Sequence, residues 1–408
     1  MDAGDQASPR ARRAVPLISA ALALIVVGSL VYLRDTAPPA PIVFPVPSST
    51  PNLPGTYTVR YSFVTATLGW SLVSRRSPDI TPFWVFKTAD GAHHWQLQWK
   101  GSTRVADMSL QLFDGRNGVI TFADGNAFFY RTRDGGVHWA TVDLPGSVIG
   151  PTFTDPGHGW AFNSDPQRGD TFFTTADSGA SWQRASPPRA LVGLQSGAAL
   201  RSTGEIWVGT QSLSPTVDLS VDGGTTWRAV SIRPPPDAFP TPTNIPAPKY
   251  PPPSERVYTS QVVLLPHQGV IASVSDFAGA TAVFVSFDQA GSWRMLAPGP
   301  GQTAFSDFSF LDSTHWWAMK FGFLYKTSDA GQSWQEVHVA QLQENWDYGP
   351  VHVIDSRHAW SQMIETPAPV GNTALAMTAD GGATWPEVNV PAPVSPPAAE
   401  LSIIAAGA

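Results

Sequence analysis

The sequence contains no cysteine, and that absence removes disulfide frameworks, thiolate zinc sites and cysteine nucleophiles together. Charge is scarce as well, at 14% of 408 residues, where an ordinary globular chain has about 25%. With only 5 Lys and 7 Glu, a long helical bundle or coiled coil is excluded. The formal net charge of −7 argues against nucleic acid as a partner. What the chain has in quantity is 39 Pro, 35 Gly, 16 Trp and 21 Phe. At 42% hydrophobic and 11% aromatic it can bury a large core, so the class indicated is all-β.

The N-terminal region is built differently. Arg10, Arg12 and Arg13 precede an uncharged, apolar stretch at residues 14–33, long enough at ~1.5 Å per residue to cross a hydrocarbon core of about 30 Å. The following Asp35-Thr36-Ala37-Pro38-Pro39-Ala40 puts proline where a cleavage site needs small residues, so an uncleaved signal anchor is expected. The arginines hold residues 1–13 in the cytoplasm, which makes a single-pass cell-membrane protein with everything after the anchor extracytoplasmic. Beyond residue 34 the chain carries 21 basic and 30 acidic residues, a net −9. Residues 34–55 turn to Pro, Ser and Thr, the composition of an extended spacer in which no core forms.

One pattern then recurs seven times: Ser/Thr, any residue, Asp, two or three mostly small residues, a small or polar residue, and Trp. The copies are TADGAHHW (Asp90, Trp95), TRDGGVHW (Asp134, Trp139), TADSGASW (Asp177, Trp182), SVDGGTTW (Asp222, Trp227), SFDQAGSW (Asp288, Trp293), TSDAGQSW (Asp329, Trp334) and TADGGATW (Asp380, Trp385). The aspartates are 44, 43, 45, 66, 41 and 51 residues apart, and about 40–50 residues is one four-stranded propeller blade. The long interval contains residues 234–253, with ten prolines. That insertion is either a tolerated loop or a docking arm whose contacts would be Phe239, Lys249 and Tyr250.

Around each box the chain alternates apolar and polar residues as strands do. One strand is often opened by Gly or His before Trp, as at Gly69-Trp70 and Gly159-Trp160. The expected architecture is a seven-bladed β-propeller of four-stranded antiparallel blades over residues 56–390, followed by a C-terminal tail, 391–408, that includes Leu401-Ser402-Ile403-Ile404. In each box, Asp accepts downstream amide hydrogens, Gly supplies positive φ and Trp packs over the hairpin, which makes the box a structural clip. A buried Trp covers roughly 150–250 Å², worth several kcal/mol gross at about 25 cal/mol/Å².

These repeats resemble the BNR or Asp-box propellers of the sialidase and sortilin-type superfamily. The Gly-Trp strand about twenty residues ahead of the box is most similar to the photosystem II assembly and stability factor-like propellers. The resemblance implies the propeller fold and admits sialidases, receptors, xyloglucan-degrading enzymes and assembly factors. Ala92, His94, His138 and Ala290 with Gly291 depart from the box, and Gly118-Val119 and Gly269-Val270 stand where Gly-Trp is usual; worn repeats with looser turns are expected there.

Seven equivalent aspartates on a ring do not make a catalytic constellation, which needs different residue types converging on one point. A sialidase site needs three arginines, a Tyr–Glu pair and an Asp. The family's Arg-Ile-Pro signature is missing at Tyr57-Thr58-Val59-Arg60-Tyr61, and the residues left to assemble such a site are Tyr325, Glu365 and Arg60. His93 and His94 are neighbours that point apart, the other histidines are scattered, and no metal, cofactor or phosphate loop is indicated. Trp84, Trp99, Trp316 and Trp346 exceed what the repeat demands and are either packing residues or a partner or glycan site at a rim. The function expected is a monomeric, non-enzymatic interaction or assembly scaffold that binds a protein on one propeller face. The alternatives are a glycoside hydrolase of exo-sialidase type and a carbohydrate-binding, adhesive propeller.

Overall fold

The computed structural model describes residues 49–393 apart from 51–52, 55, 76, 78, 106, 123–127, 147, 164–170, 186–197, 202, 211–214, 235–256, 266–268, 277–280, 297–305, 321–322, 338–345 and 366–371. The anchor at 14–33, most of the spacer, Phe239, Lys249 and Tyr250 of the insertion, and segment 401–404 lie outside the described residues. Among the described residues no helix is long and apolar enough to cross a membrane.

Each repeat folds into one antiparallel four-stranded sheet whose strands lie side by side in chain order, and there are seven such sheets. The first blade is Tyr57–Phe63, Gly69–Arg75, Thr81–Thr88 and Gln96–Thr103; the last is Trp346–Val353, Ala359–Glu365, Thr373–Thr378 and Glu387–Val388. First strands of neighbouring blades touch one another. Leu112 N donates to Ser62 Oγ and Val353 N to Ser309 Oγ, both at 2.9 Å. First strands therefore form the inner ring and fourth strands the rim.

A single small sheet with two apolar faces cannot cover itself, so each blade buries its faces against its neighbours. Apolar clusters sit at all seven junctions, including the one between the last blade and the first. The second-strand tryptophans Trp70, Trp160, Trp207, Trp317 and Trp360 are all buried, each pointing toward the following blade. The glycine that precedes some of them has a steric cause. A Cβ on Gly69 would lie 2.3 Å from the Phe63 ring, its cross-strand partner, and one on Gly118 would lie 2.4 Å from Leu112.

The ladder corrects one alignment. Val270 faces Ser286 and Ile271 faces Val285, as Gly69 faces Thr88 and Trp70 faces Lys87. The blade-five counterparts of Gly-Trp are thus Val270-Ile271, not Gly269-Val270. Ile271 and Val119, the blade-two counterpart of Trp, are both buried at their junctions, so smaller side chains fill these seams.

The ring is closed by its two ends. Ser49–Thr50 pairs antiparallel with Val390–Pro391, and Leu53 exchanges backbone hydrogen bonds with Thr373 at 2.9 and 2.8 Å. Leu53, assigned by composition to a coreless spacer, is 3% exposed and packs with Val59, Trp360, Leu375 and Val390. Composition missed it because one leucine among prolines carries no periodic signal. Across the same seam Trp95 Nε1 donates to Asn389 O at 2.8 Å, and Asn389 Nδ2 donates to His93 O at 2.9 Å.

Truncating Leu53 to alanine leaves a cavity in the closing seam and is expected to cost about 2–4 kcal/mol. Thermal unfolding of the purified chain should show a lowered midpoint. An unchanged midpoint would mean the ring closes without this residue.

Candidate functional site

The seven box aspartates occupy seven copies of one turn. In blade two, Thr132 Oγ1 donates to Asp134 Oδ1 at 3.0 Å while accepting from Gly136 N at 2.9 Å, and His138 N donates to Asp134 Oδ1 at 2.9 Å. The second carboxylate oxygen is taken by the side chain just before Trp. Ser181, Thr226, Ser292, Ser333 and Thr384 each donate a hydroxyl to it at 2.6 Å. In the first two boxes histidine does the same job, with Nδ1 2.6 Å from Asp90 Oδ2 and 2.7 Å from Asp134 Oδ2. His94 and His138 are therefore equivalents of Ser/Thr rather than marks of a loosened turn.

The two residues after each Asp have left-handed backbone in all seven boxes. Ala92, Ser178, Gln289, Ala290 and Ala330 adopt it without being glycine, with φ between 56° and 68°. The second of the pair lies against the preceding blade, where side-chain space is short. A Cβ on Gly179 would come within 2.7 Å of Phe129, and one on Gly224 within 2.7 Å of Ala185 Cβ. Ala92 and Ala290 are accommodated, each buried in the junction with the preceding blade.

The same face carries a second set of turns, between the first and second strands. Asp114, Asp155, Asp312 and Asp355 each accept two backbone N–H groups within their own turns at 2.7–2.8 Å. His158, His315 and His358 close three of these with Nδ1 2.8–2.9 Å from the second carboxylate oxygen. The two sets are stitched together, since Gly135 N donates to Arg116 O at 2.8 Å and Gly381 N to Arg357 O at 2.8 Å. Histidines that look scattered along the chain thus fall on one face as turn closers. The signal that could have found them is Asp followed three residues later by His, repeated ahead of the second strand.

Neighbouring blades are latched at the carbonyl just after the box Asp. Arg131 donates to Ser178 O at 2.7 Å, Arg294 to Ala330 O at 2.6 Å, Arg228 to Gln289 O and Lys326 to Gly381 O. In blade one the donor is Trp70 Nε1, 2.9 Å from Gly135 O, with Lys87 4.7 Å over its ring. These cations occupy either side of one cross-strand pair. Lys87, Arg131 and Lys326 precede the box on the third strand, whereas Arg228 and Arg294 follow the box Trp on the fourth, opposite Leu219 and Val285. Burial pulls Lys326 below the ordinary lysine range, opposed by the carboxylate of Asp380 in the next box.

The carboxylates are spent on these turns. Hydrogen bonds from the Thr226 hydroxyl and N–H hold Asp222 at about 2, those from Ser292 and Ser333 hold Asp288 and Asp329 at about 2, and the His138 N–H leads the set that holds Asp134 at about 2. Asp380 is held lower still by Thr384. The glycosidase candidates do not converge. Tyr325 stands on the third strand of blade six with its hydroxyl 3.1 Å from Glu336 Oε2, Glu365 accepts from Asn372 N in blade seven, and Arg60 lies 3.5 Å from Asp107 on the inner ring. Among the described residues no group of three His, Cys, Asp or Glu is placed to hold a metal.

Of the four extra tryptophans, Trp316 is fully buried between blades five and six, while Trp84 and Trp346 are half-buried packing residues. Trp99 is different. It stands on the fourth strand of blade one at the junction with blade two, with its ring 4.9 Å from Tyr130, 5.0 Å from Phe83 and stacked 5.8 Å from Trp139. Trp99, Tyr130, Trp139 and Phe128 all remain partly open to solvent. This partly open aromatic cluster is the candidate binding site.

Because the box carboxylates titrate lower when folded than the ordinary ~3.9, the folded chain binds fewer protons than the unfolded chain between about pH 4 and pH 2. Stability should be level in this respect above pH 5 and fall as pH drops through that window, as followed by denaturant midpoints. His138→Ser should melt with the parent chain, while His138→Ala loses about 1 kcal/mol through one unmade hydrogen bond. Equal loss in both variants would show that the imidazole does more than close the turn.

No protein-family model matches the sequence, nor does any curated protein. Solved structures similar to the chain include YCF48 bound to a D1 peptide, at TM-score 0.49 and 18% identity over 85% of this chain and 99% of that one. YCF48 from Cyanidioschyzon merolae aligns at TM-score 0.48 and 14% identity over 80% and 97%. A puromycin-hydrolyzing peptidase of Mycobacterium tuberculosis aligns at TM-score 0.51 and 10% identity over 90% of this chain and 58% of that one. At such identities the likeness is one of fold, and the fold is an all-β, seven-bladed propeller of four-stranded antiparallel blades.

Proposed function

We propose that the chain is a membrane-anchored, extracytoplasmic propeller that serves as a non-enzymatic interaction or assembly scaffold for other envelope proteins. The observation that carries this reading is the use made of the box carboxylates: all seven accept hydrogen bonds within their own turns. General acid–base work needs a carboxyl group poised near the operating pH and within reach of substrate. Box carboxylates held below the ordinary carboxylate range by their own turns are anions that brace the backbone, and the boxes act as structural clips. Arg10, Arg12 and Arg13 ahead of residues 14–33 support an anchor with the N-terminus in the cytoplasm. The scaffold acts as a monomer, its ring closed by its own two ends.

Crosslinking in intact membranes followed by pull-down of the full chain should recover a small set of specific membrane proteins. Recovery of abundant background alone would sink the scaffold reading. Release of fluorophore from a panel of aryl glycosides, sialosides included, would replace it with a hydrolase.

A further inference from the structure

The rim of the propeller is not uniform. In blades two, four, five and seven, whose fourth strands end within the described residues, those strands run from two residues (Arg294–Met295, Glu387–Val388) to four (Ala140–Asp143, Arg228–Ser231). In blade one the strand is Gln96–Thr103, eight residues, and among the described residues nothing pairs with its outer side. Long exposed edges are an association hazard that folded proteins usually shorten.

The same strand carries the anomalous tryptophan. Trp99 faces Val85, at the register position that holds Val142, Ala185, Val230, Val337 and Val388 in other blades. Those side chains are aliphatic, whereas Trp99 sets a partly open indole beside Tyr130 and Trp139. Two residues on, Gly101 has no room for a side chain, because a Cβ would meet the Phe83 ring at 2.6 Å. Next to Trp99 the edge therefore carries no side chain at 101 on the face that Trp99 occupies.

Charge selects the occupant. On the strand and the bend after it, residues 96–104, the charged residues are Lys100 and Arg104, both exposed, in a chain of net charge −7, while the flanking Asp107 faces Arg60 at 3.5 Å. A second copy paired edge to edge would bring these like charges together. We infer that the outer edge of blade one is a docking strand for an extended acidic segment of a partner protein. The segment adds as a fifth strand, packs one large apolar side chain on the partly open Trp99 ring, and sets carboxylates against Lys100 and Arg104. Because side chains alternate across a strand, the carboxylate set against Lys100 and the apolar residue set against Trp99 lie on opposite faces of the segment. The inference rests on the scaffold reading and gives it a location and a partner chemistry.

The test uses the full-length chain in detergent micelles and a displayed library of random nine-residue peptides. The enriched pool should be rich in Asp and Glu and carry a large apolar residue, and its binding should slow amide exchange at 96–103. Trp99→Val installs the side chain four other blades carry there, so it should fold normally yet lose at least ten-fold in binding. Lys100→Glu, on the exposed face, should select against acidic peptides. A pool without acidic excess, or one bound equally by Trp99→Val, overturns the inference. So does a concentration-dependent dimer abolished by Trp99→Val, which would assign the edge to a second copy. No enrichment alongside an intact crosslinked pull-down would remove the docking strand while leaving the scaffold; an empty pull-down would remove the scaffold itself.

Discussion

Everything in this propeller depends on a turn in which one carboxylate holds two consecutive residues in left-handed backbone. Asp accepts from the amide and the side chain four residues on, while the preceding Ser/Thr hydroxyl accepts from the amide between. That bend brings the carbonyl of the first left-handed residue to the preceding blade, where an arginine, lysine or indole takes it in five of the seven junctions. It also brings the second left-handed residue so close to that blade that glycine or alanine alone is found there. Turn chemistry and blade packing are thus one constraint, since a residue that relaxes the turn also moves the latch.

Much of this was legible in the chain. Seven boxes at blade-length intervals predict seven blades because each unit buries its faces only against copies of itself. What the repeat pattern misjudged was equivalence under changed chemistry. His94 and His138 look like erosion, yet an imidazole Nδ1 reaches the same carboxylate oxygen as a hydroxyl. Likewise the latch cation moves from the third strand to the residue opposite it on the fourth, a swap hidden in sequence because the two positions are separated by the whole box. Gly269-Val270 invited the wrong alignment, since a glycine before an aliphatic residue imitates the motif one place out of register.

Blade one is exceptional on both sides, and for related reasons. Toward blade seven it must close a ring with no covalent continuity, so its box tryptophan bonds Asn389 across the seam and Leu53 is drawn in from outside the repeats. Toward blade two it carries the long rim strand, and partly open aromatic rings, Trp99 among them, cover the aliphatic junction. The first repeat therefore holds the molecule together and presents its least consumed surface.

By itself the sequence determined the class, the number of blades and the chemistry of the turns, because those are written in local, repeated spacing. The tertiary structure alone decided which strand forms the open edge, that Trp99 stays accessible while Trp316 is buried, and that five separated histidines share one face. It also decided that Tyr325, Glu365 and Arg60 stand on different blades. The physical reason is that exposure and convergence are properties of contacts between blades. Those contacts join residues far apart in the chain, and nothing in the spacing of a repeat records which of its copies is left uncovered.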